Sequence, residues 1–281
     1  MKIFKYHLIL TFVTIFSLGI SSIHAQKKEK IKGSKFITVS QHDIEDFESI
    51  EILDDLEIHL ISGTTSQVEI EADDNLHDIV EKTVIDNKLV LRTKQEATGA
   101  KKFQVRVYYT TKLKLIEVKD NSQLNVLQHI ELPNLTIKNF DNSKSFLNVK
   151  TPTFTLILTD KSKAELNFSG DNASLEINKS GAIKALITSN VLKIDMYQKS
   201  SATVEGDVIK GKVRLDNDAN YKGKNMTFGN LDIQTEMNSK AEATALEAIN
   251  ISASGKSEIE IYGTPVFTLK QFTDKATLYK K

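Results

Sequence analysis

The chain has 281 residues, of which 40% are apolar and 26% are charged, and its 37 basic residues balance 37 acidic ones. It contains no cysteine, which excludes disulfides, thiolate nucleophiles and Cys-ligated metals. This length is enough for one elongated domain with a large core, or for two modest domains.

Residues 1–25 have the pattern of a secretory signal peptide. Lys2 and Lys5 give a positive start, residues 8–20 are apolar, and a small-residue cleavage site ends at Ala25. The apolar stretch is short for a membrane span, so an uncleaved anchor is the less favoured alternative. No cysteine follows the signal to accept a lipid. The sequence therefore predicts export to the periplasm, the cell surface or the medium, with no membrane-spanning segment after cleavage.

Charge then divides the chain. Residues 26–40 are rich in lysine and predict a basic flexible leader. Residues 41–87 hold 15 acidic residues against Lys82 alone, whereas the chain beyond them holds 29 basic and 21 acidic residues. Short alternating strands across residues 41–115 predict an acidic β-rich capping module that covers an open sheet edge. Within this module, residues 75–82 predict a short helix with Leu76, Ile79 and Val80 facing inward.

Two acidic clusters in this module suggest a cation site. Asp54-Asp55 and Asp73-Asp74-Asn75 carry the carboxylate and amide oxygens that Ca²⁺ prefers. Neither cluster has the ligand spacing of a known calcium loop, so a solvated outer face is the favoured interpretation. No metal or other cofactor is predicted.

Residues 116–281 repeat at a step of close to 20 residues. Small polar turns recur, and apolar residues occupy every second position before and after them, which predicts strands with one buried face. One such coil cannot bury its inner face alone, but stacked coils share a core. The pattern predicts an all-β fold whose main part is a parallel β-helix of about nine coils. The turn residues are Asp120, Asn121, Ser122, Asp141, Asn142, Ser143, Asp160, Ser162, Ser180, Gly181, Ser200, Asn217, Asn238, Gly255 and Asp274.

The chemistry of these turns has a mechanical explanation. Asp, Asn and Gly tolerate the left-handed conformation of a sharp corner, and Ser or Asp side chains bond nearby amides. Stacked in register, they can also bond to the coils above and below. A ligand-binding ladder is the alternative interpretation, and corner chemistry is favoured over it.

Four segments in the first part of the chain resemble a known family. They are FESIEI (47–52), LEIHLISG (56–63), QVEIEADDNL (67–76) and DNKLVL (86–91), followed by the β repeats. In this order they resemble the head GIN domain of auto-transporter adhesins, over about residues 45–265. The resemblance implies a right-handed parallel β-helix similar to that of pectin lyases, no recognised catalytic residues and an adhesive role. The chain departs from the family's Gly-Ser-Gly turns, which casts doubt on a glycine-dependent binding surface.

Candidate catalytic groups are few. The chain has three arginines, and Arg214 with Asp216 and Asp218 is the one local group that a lyase could use, although an outer-face salt bridge is the favoured interpretation. His42, His59, His77 and His129 lie far apart in sequence. Phosphate loops are absent, and scattered lysines in an exported protein do not indicate nucleic-acid binding.

Three functional hypotheses follow. The first is a non-enzymatic, adhesin-like envelope protein that engages an unknown protein or a surface polysaccharide through Lys-bearing outer faces. The second is a pectin-lyase-like carbohydrate-active enzyme, and the third is a purely structural periplasmic module.

Overall fold

The fold is known from a computed structural model, which describes residues 28–281. The predicted signal peptide lies outside the described residues. The protein is 66% strand and 2% helix, and it forms a β-solenoid of about nine coils with about 19 residues per coil. The predicted all-β solenoid is therefore confirmed, with a step slightly shorter than the 20 residues expected.

The first half of the described chain consists of short strands and one helix. These are β1 (Lys30–Lys32), β2 (Ile37–Asp43), β3 (Ser49–Ile52), β4 (Glu57–Ser62), β5 (Gln67–Asp73), a 3₁₀ helix (Asp74–Ile79), β6 (Val80–Ile85), β7 (Lys88–Thr93), β8 (Glu96–Thr98), β9 (Phe103–Tyr109), β10 (Leu115–Val118) and β11 (Gln123–Asn125).

The second half also contains short strands, together with five strands of 14–16 residues that bend around a corner of the solenoid. These are β12 (Asn134–Asn139), β13 (Lys144–Lys150), β14 (Thr153–Leu158), β15 (Lys163–Ile177), β16 (Ala182–Met196), β17 (Ser201–Leu215), β18 (Asn220–Thr235), β19 (Lys240–Ala253), β20 (Glu258–Tyr262), β21 (Val266–Phe272) and β22 (Thr277–Lys280).

The coils are flattened and have two parallel faces. Face 1 consists of strands that lead into the tight turns: β7, β3, β10, β12, β14, the second halves of β15 to β19, and β21. Face 2 consists of strands that leave those turns: β9, β4, β11, β13, the first halves of β15 to β19, β20 and β22. At the opposite corner the chain bends within single strands. There Gly206 has a φ of 116°, and a Cβ would lie 2.1 Å from the Ile187 carbonyl oxygen, so a side chain is excluded.

Burial follows the predicted alternation. In β14, Phe154, Leu156 and Leu158 are buried, while the residues between them are partly exposed. Lys161, in the next turn, is exposed as predicted. The buried apolar side chains form one continuous core from Phe47 to Ile261. Because each coil covers the next, the rod needs no separate core for each repeat.

The first coils do not stack in chain order. The coil made of β3 and β4 lies between the coil of β7 and β9 on one side and that of β10 and β11 on the other. After Tyr109 the chain passes this middle coil, and the Lys114 amide bonds to the Glu48 carbonyl. The boundary predicted at 115/116 therefore falls inside the stack, because strands from the acidic segment already form coils.

The N-terminal end of the solenoid is covered by antiparallel strands. On face 1, β6 pairs with β7, and on face 2, β5 pairs with β9 and β2 with β5. The 3₁₀ helix joins β5 to β6 and places Leu76 and Ile79 against the core. The predicted helix at 75–82 is thus shorter and starts one residue earlier, since Val80 already belongs to β6 and extends the sheet.

The predicted flexible leader differs from the structure over its described part. Lys30–Lys32 pairs with Glu96–Thr98, and Ile37–Asp43 is an edge strand. The physical reason is a set of polar contacts described below, which lysine-rich composition alone does not reveal.

Candidate functional site

The predicted turn residues occupy three structural positions. Asp120, Asp141, Asp160, Asn217, Gly255 and Asp274 have a positive φ, between 56° and 71°. Asn121, Asn142, Ser180 and Asn238 come next in their turns and are exposed. One position later, Ser122, Ser143, Ser162, Gly181 and Ser200 are buried. In two other turns the residue with a positive φ is Gln198 in one and Met237 in the other. Neither residue was predicted at this position, because neither is Asp, Asn or Gly.

Contacts between turns run along the stack. The Asp141 carboxylate accepts the Asp120 amide at 3.1 Å, and the Asp120 carboxylate accepts the Asp54 amide at 2.8 Å. The Asn142 side chain donates to the Asn121 side chain at 3.2 Å, which in turn donates to Asp55 at 2.8 Å. These side chains are engaged with neighbouring coils, which favours the corner interpretation over a ligand-binding ladder.

The two acidic clusters bind the protein's own backbone. Asp54 accepts the Thr93 amide at 2.7 Å and pairs with Lys28 at 2.5 Å. Asp73 is completely buried and accepts amides from Lys35, Lys101 and Lys102 at 2.9–3.1 Å. Burial acts to raise the pKa of Asp73, but these three amide hydrogen bonds outweigh it, so the pKa lies below its usual value.

Asn75 and Asp74 complete this attachment of the leader. The Asn75 side chain accepts the Ser34 amide at 3.0 Å and donates to the Lys32 carbonyl at 2.9 Å, and Asp74 accepts the Ser34 hydroxyl. Across residues 28–281, no three His, Asp or Glu side chains are grouped so that they could hold a metal ion. Asp73, Asp74, Asn75 and one Asp54 oxygen thus contact residues 28–35, whereas Asp55 accepts the Asn121 side chain.

The Arg214 group does not form as a local cluster. Asp216 accepts the Asn217 amide, and Asp218 accepts the Asn238 side chain. Arg214 instead lies 3.8 Å from Glu236 in the next coil and 5.7 Å from the centre of the Tyr197 ring. It also stacks in register on Asp195, which pairs with Lys193 at 2.5 Å.

Two of the four histidines come together at the N-terminal end. His77 lies 2.8 Å from the Thr38 hydroxyl and 2.7 Å from the Ser40 hydroxyl, and His42 lies 3.2 Å from Ser40. Partial burial, Lys82 and His77 lower the pKa of His42. His59 pairs with Glu57 at 3.0 Å. Among residues 28–281 no carboxylate bonds to His77, so the arrangement there lacks the third member of a catalytic triad.

A shallow groove on the outside of face 2 is the best candidate for ligand binding. We call it the lysine groove; its volume is about 430 Å³. Lys144 and Lys163 are in register in adjacent coils, and Lys184 follows in the next coil, in register with Glu165. All three lysines are exposed, and within residues 28–281 none forms an ion pair. The groove is completed by Phe146, Glu165, Ser201 and Thr203.

A second groove of about 460 Å³ runs beside the first and shares Phe146 with it. We call it the leucine groove, because Leu127 and Leu186 line it and are 74% and 50% exposed. Asn148 and Asn167 line it too, and the Asn167 side chain donates to Asn148 at 3.4 Å. Together the grooves give face 2 a band of lysine, amide and apolar groups across five coils.

The sequence analysis predicted Lys-bearing outer faces but did not single out these apolar residues. Phe146 and Leu186 stand at outward positions of strands whose inward positions are already apolar. An apolar residue out of phase with the alternation is therefore the signal that could have found this surface.

The family comparison agrees with this architecture. Residues 46–265 match the family described as "Putative auto-transporter adhesin, head GIN domain". The chain belongs to this family. The resemblance noted in the sequence is thus confirmed over nearly the same residues. No curated protein is significantly similar to the chain.

Solved structures share the fold at low identity. A putative adhesin from Parabacteroides merdae is 20% identical, with a TM-score of 0.60, and the match covers 90% of this chain and 99% of that one. A putative adhesin from Parabacteroides distasonis is 22% identical, with a TM-score of 0.57, covering 90% and 98%. A putative lipid binding protein from the same species is 14% identical, with a TM-score of 0.63, covering 90% and 100%.

Between residues 28 and 281, the only helix is the short 3₁₀ segment, and none is long and apolar enough to span a bilayer.

Proposed function

We propose that this protein is an exported, non-enzymatic, adhesin-like protein of the bacterial envelope that binds an acidic surface polysaccharide along the lysine groove. The observation that carries the proposal is the stacking of Lys144 on Lys163 in adjacent coils, with Lys184 in the next coil and Phe146 in the same groove; within residues 28–281 none of the three lysines forms an ion pair. Family membership supports an adhesive role in an exported protein.

Repetition makes this surface suitable for an extended polymer. Neighbouring strands lie about 4.8 Å apart, so the lysines present positive charge at regular intervals along the solenoid axis. A polysaccharide that carries a carboxylate on successive sugars can contact several of them at once. The Phe146 ring offers an apolar surface to a sugar ring, and Ser201 and Thr203 offer hydroxyls.

The open, exposed form of the groove favours binding without turnover. Exposed lysines interact with a ligand through water-screened charge, so binding should weaken as salt is added. A catalytic centre would instead require clustered acids, bases or nucleophiles in a site that excludes water. The lysine groove supplies one carboxylate, Glu165, among its charged groups.

Binding of the purified protein to polygalacturonate, measured by calorimetry at low salt, tests the proposal. Lys144→Ala, Lys163→Ala and Lys184→Ala combined should weaken binding by roughly tenfold, since three exposed contacts contribute about 0.5 kcal/mol each. The matched control is Lys199→Ala with Lys256→Ala, two exposed turn lysines that lie outside the groove.

Neutral dextran serves as the second ligand in the same experiment. The proposal expects weak or no binding to dextran and a steady loss of polygalacturonate affinity with added salt. Equal affinity for both polymers, or equal loss in the groove and control variants, would place the binding surface elsewhere. No binding to either polymer would favour the purely structural module.

The enzyme alternative is supported by a different surface, on face 1. Arg214 lies beside the Lys193–Asp195 pair, and its Nε atom is buried without a hydrogen-bond partner. A lyase would release unsaturated sugars, which absorb in the ultraviolet. If polygalacturonate yields such products, Arg214→Ala should abolish them and the triple lysine variant should retain them. That result would support the pectin-lyase-like hypothesis.

A further inference from the structure

The C-terminal coil, formed by β21 and β22, leaves apolar side chains exposed. All seven residues of β21 are exposed, and the exposed fractions of Phe267, Leu269 and Phe272 are 39%, 55% and 40%. In β22, Tyr279 is 46% exposed. Among residues 28–281 no strand pairs with the outer edge of β21 or of β22. This surface is separate from the lysine groove.

These side chains continue the core of the solenoid. Phe267 and Leu269 are in register with the buried Ile249 and Ile251, and Leu278 is in register with Ile259. They therefore stand at inward positions. In the preceding coils, side chains at these positions are covered by the coil that follows. A surface with this pattern requires an occupant that is apolar and has a free strand edge.

The opposite end of the molecule does not fit that description. The inward positions of its last face-2 strand are Thr38, Ser40 and His42, which bond to or lie near His77. On face 1, Lys82 takes an inward position in register with Leu91. Head-to-tail stacking would place Lys82, between Val80 and Val84, on β21, and Thr38, Ser40 and His42 on β22, and would bury these polar groups without new partners.

We propose that two copies of the 281-residue chain join end to end through their C-terminal coils. A two-fold axis perpendicular to the solenoid axis would turn β21 against β21 of the second copy, and β22 against β22. Each pair would be antiparallel, which is the slightly more stable arrangement, and each strand would meet one of its own length. Phe267, Leu269, Phe272 and Leu278 of the two copies would then merge into one core, while Lys280, which is in register with Ile261, keeps its ammonium group on the Gly263 carbonyl.

Charge at this end is compatible with a second copy. Lys270 pairs with Asp232 at 3.0 Å, Lys281 pairs with Glu260 at 3.1 Å, and the Lys280 ammonium bonds to the Gly263 carbonyl. Because these ammonium groups have partners in their own chain, the two rims would not strongly repel. An anionic lipid surface fits less well, since hydrocarbon cannot satisfy the free backbone groups of β21 and β22.

Light scattering after size-exclusion chromatography measures the mass directly. The wild-type protein should elute with twice the mass of one chain, and Leu269→Lys should convert it to a monomer. Leu246→Lys is the matched control, because Leu246 is also 55% exposed but lies in β19, between its face-2 and face-1 parts, rather than in β21 or β22. A monomeric wild type, or an equal effect of both variants, would overturn the proposal.

A second variant keeps the test valid if Leu269→Lys fails to fold. The chain has no cysteine, so Leu269→Cys introduces a single thiol at the middle residue of β21. Under mild oxidation it should form a disulfide-linked dimer, because antiparallel pairing of β21 over its whole length places residue 269 opposite its own copy. Asn250→Cys, one coil farther inside, should remain monomeric on a denaturing gel. Equal cross-linking of both variants would contradict the arrangement.

Discussion

The two ends of the solenoid solve the same problem differently. Each ends in strands with a free edge, but the N-terminal end carries Thr38, Ser40 and His42 at its inward positions, and the C-terminal end carries Phe267 and Leu269. The first end is closed by its own polar groups and by Leu76 and Ile79 of the 3₁₀ helix. The second continues the core and leaves it exposed. The difference teaches that burial in a repeat protein depends on the neighbouring coil rather than on the strand itself.

Ion pairs link strands of the N-terminal end, and they contribute much less at the C-terminal end. Glu51 lies next to Lys119 and Lys88, and Arg106 bridges Glu69 and Glu71, so acids in the first strands meet bases from strands that follow them in the chain. The acidic and basic segments predicted from the sequence are therefore neighbours over much of this region.

The largest effect should come from placing a charge in the inner surface of each end coil. Leu91 is fully buried in the N-terminal stack, so Leu91→Asp buries an unpaired carboxylate and should cost more than about 4 kcal/mol or prevent folding. Leu269→Asp, compared with wild type at a dilution where both are monomers, should change the free energy of unfolding by no more than about 1 kcal/mol, because the Leu269 side chain then meets water. Denaturant unfolding measures both variants, and similar losses would show that Leu269 is covered within its own chain.

Leu156 lies in β14, which has a neighbouring strand on each side, and its substitution gives a reference value for the two end coils. Leu156 is 1% exposed, and Leu156→Ala should reduce the free energy of unfolding by about 2–5 kcal/mol through lost contacts and a cavity. Lys161→Ala, in the exposed turn that follows, should change it by no more than about 0.5 kcal/mol. Urea unfolding of both variants is the measurement, and equal effects would mean that the inward and outward faces were misassigned.

Loss of the Asp73 carboxylate should loosen the N-terminal end alone. Asp73→Asn keeps the shape but removes the charge that accepts three amides, so hydrogen exchange should rise in residues 28–43 and 96–102. Asp274→Asn is the control at the other end, where one carboxylate contact to the Gly255 amide is lost. Unchanged exchange near residues 28–43 would contradict the role assigned to Asp73.

Acid should produce a smaller, graded version of the same change. Hydrogen bonds from Lys119 lower the pKa of Glu51, and amide hydrogen bonds lower that of Asp73, from ordinary values of 4.5 and 3.8. A lowered carboxyl pKa contributes stability that is present above the ordinary value and is lost as the pH falls through the folded-state value. The midpoint temperature of thermal unfolding should therefore be nearly constant from about pH 7 to 5 and should fall below about pH 4. In Asp73→Asn the decline should be shallower, and an equally steep decline would remove Asp73 from the explanation.

The sequence predicted the regular part of the molecule well for a local reason. Alternation in segments such as 154–158 fixes which side chains face inward, and a left-handed turn residue such as Asp141 recurs after nearly every such segment. These signals depend on residues within one coil, so they can be read without knowing what lies above or below. The family resemblance added the same fold over the same region.

The lysine groove was only partly predictable. Lysines on outer faces follow from the alternation. Which of them lie close together depends on the register between coils, which brings Lys144, Lys163 and Lys184 near Phe146. A step of 19 residues in one repeat and 21 in another changes which side chains align, and the sequence gives only the approximate period.

What the sequence alone determined is thus the coil: its strands, its turns and its inward side chains, because period-two alternation and turn conformation are local properties. What only the tertiary structure decided is the order and use of the coils. It placed β3 and β4 between two coils that follow them in the chain, used Asp73 to order a lysine-rich leader, and left Phe267 exposed. These outcomes depend on contacts between residues far apart in sequence, which local pattern does not encode.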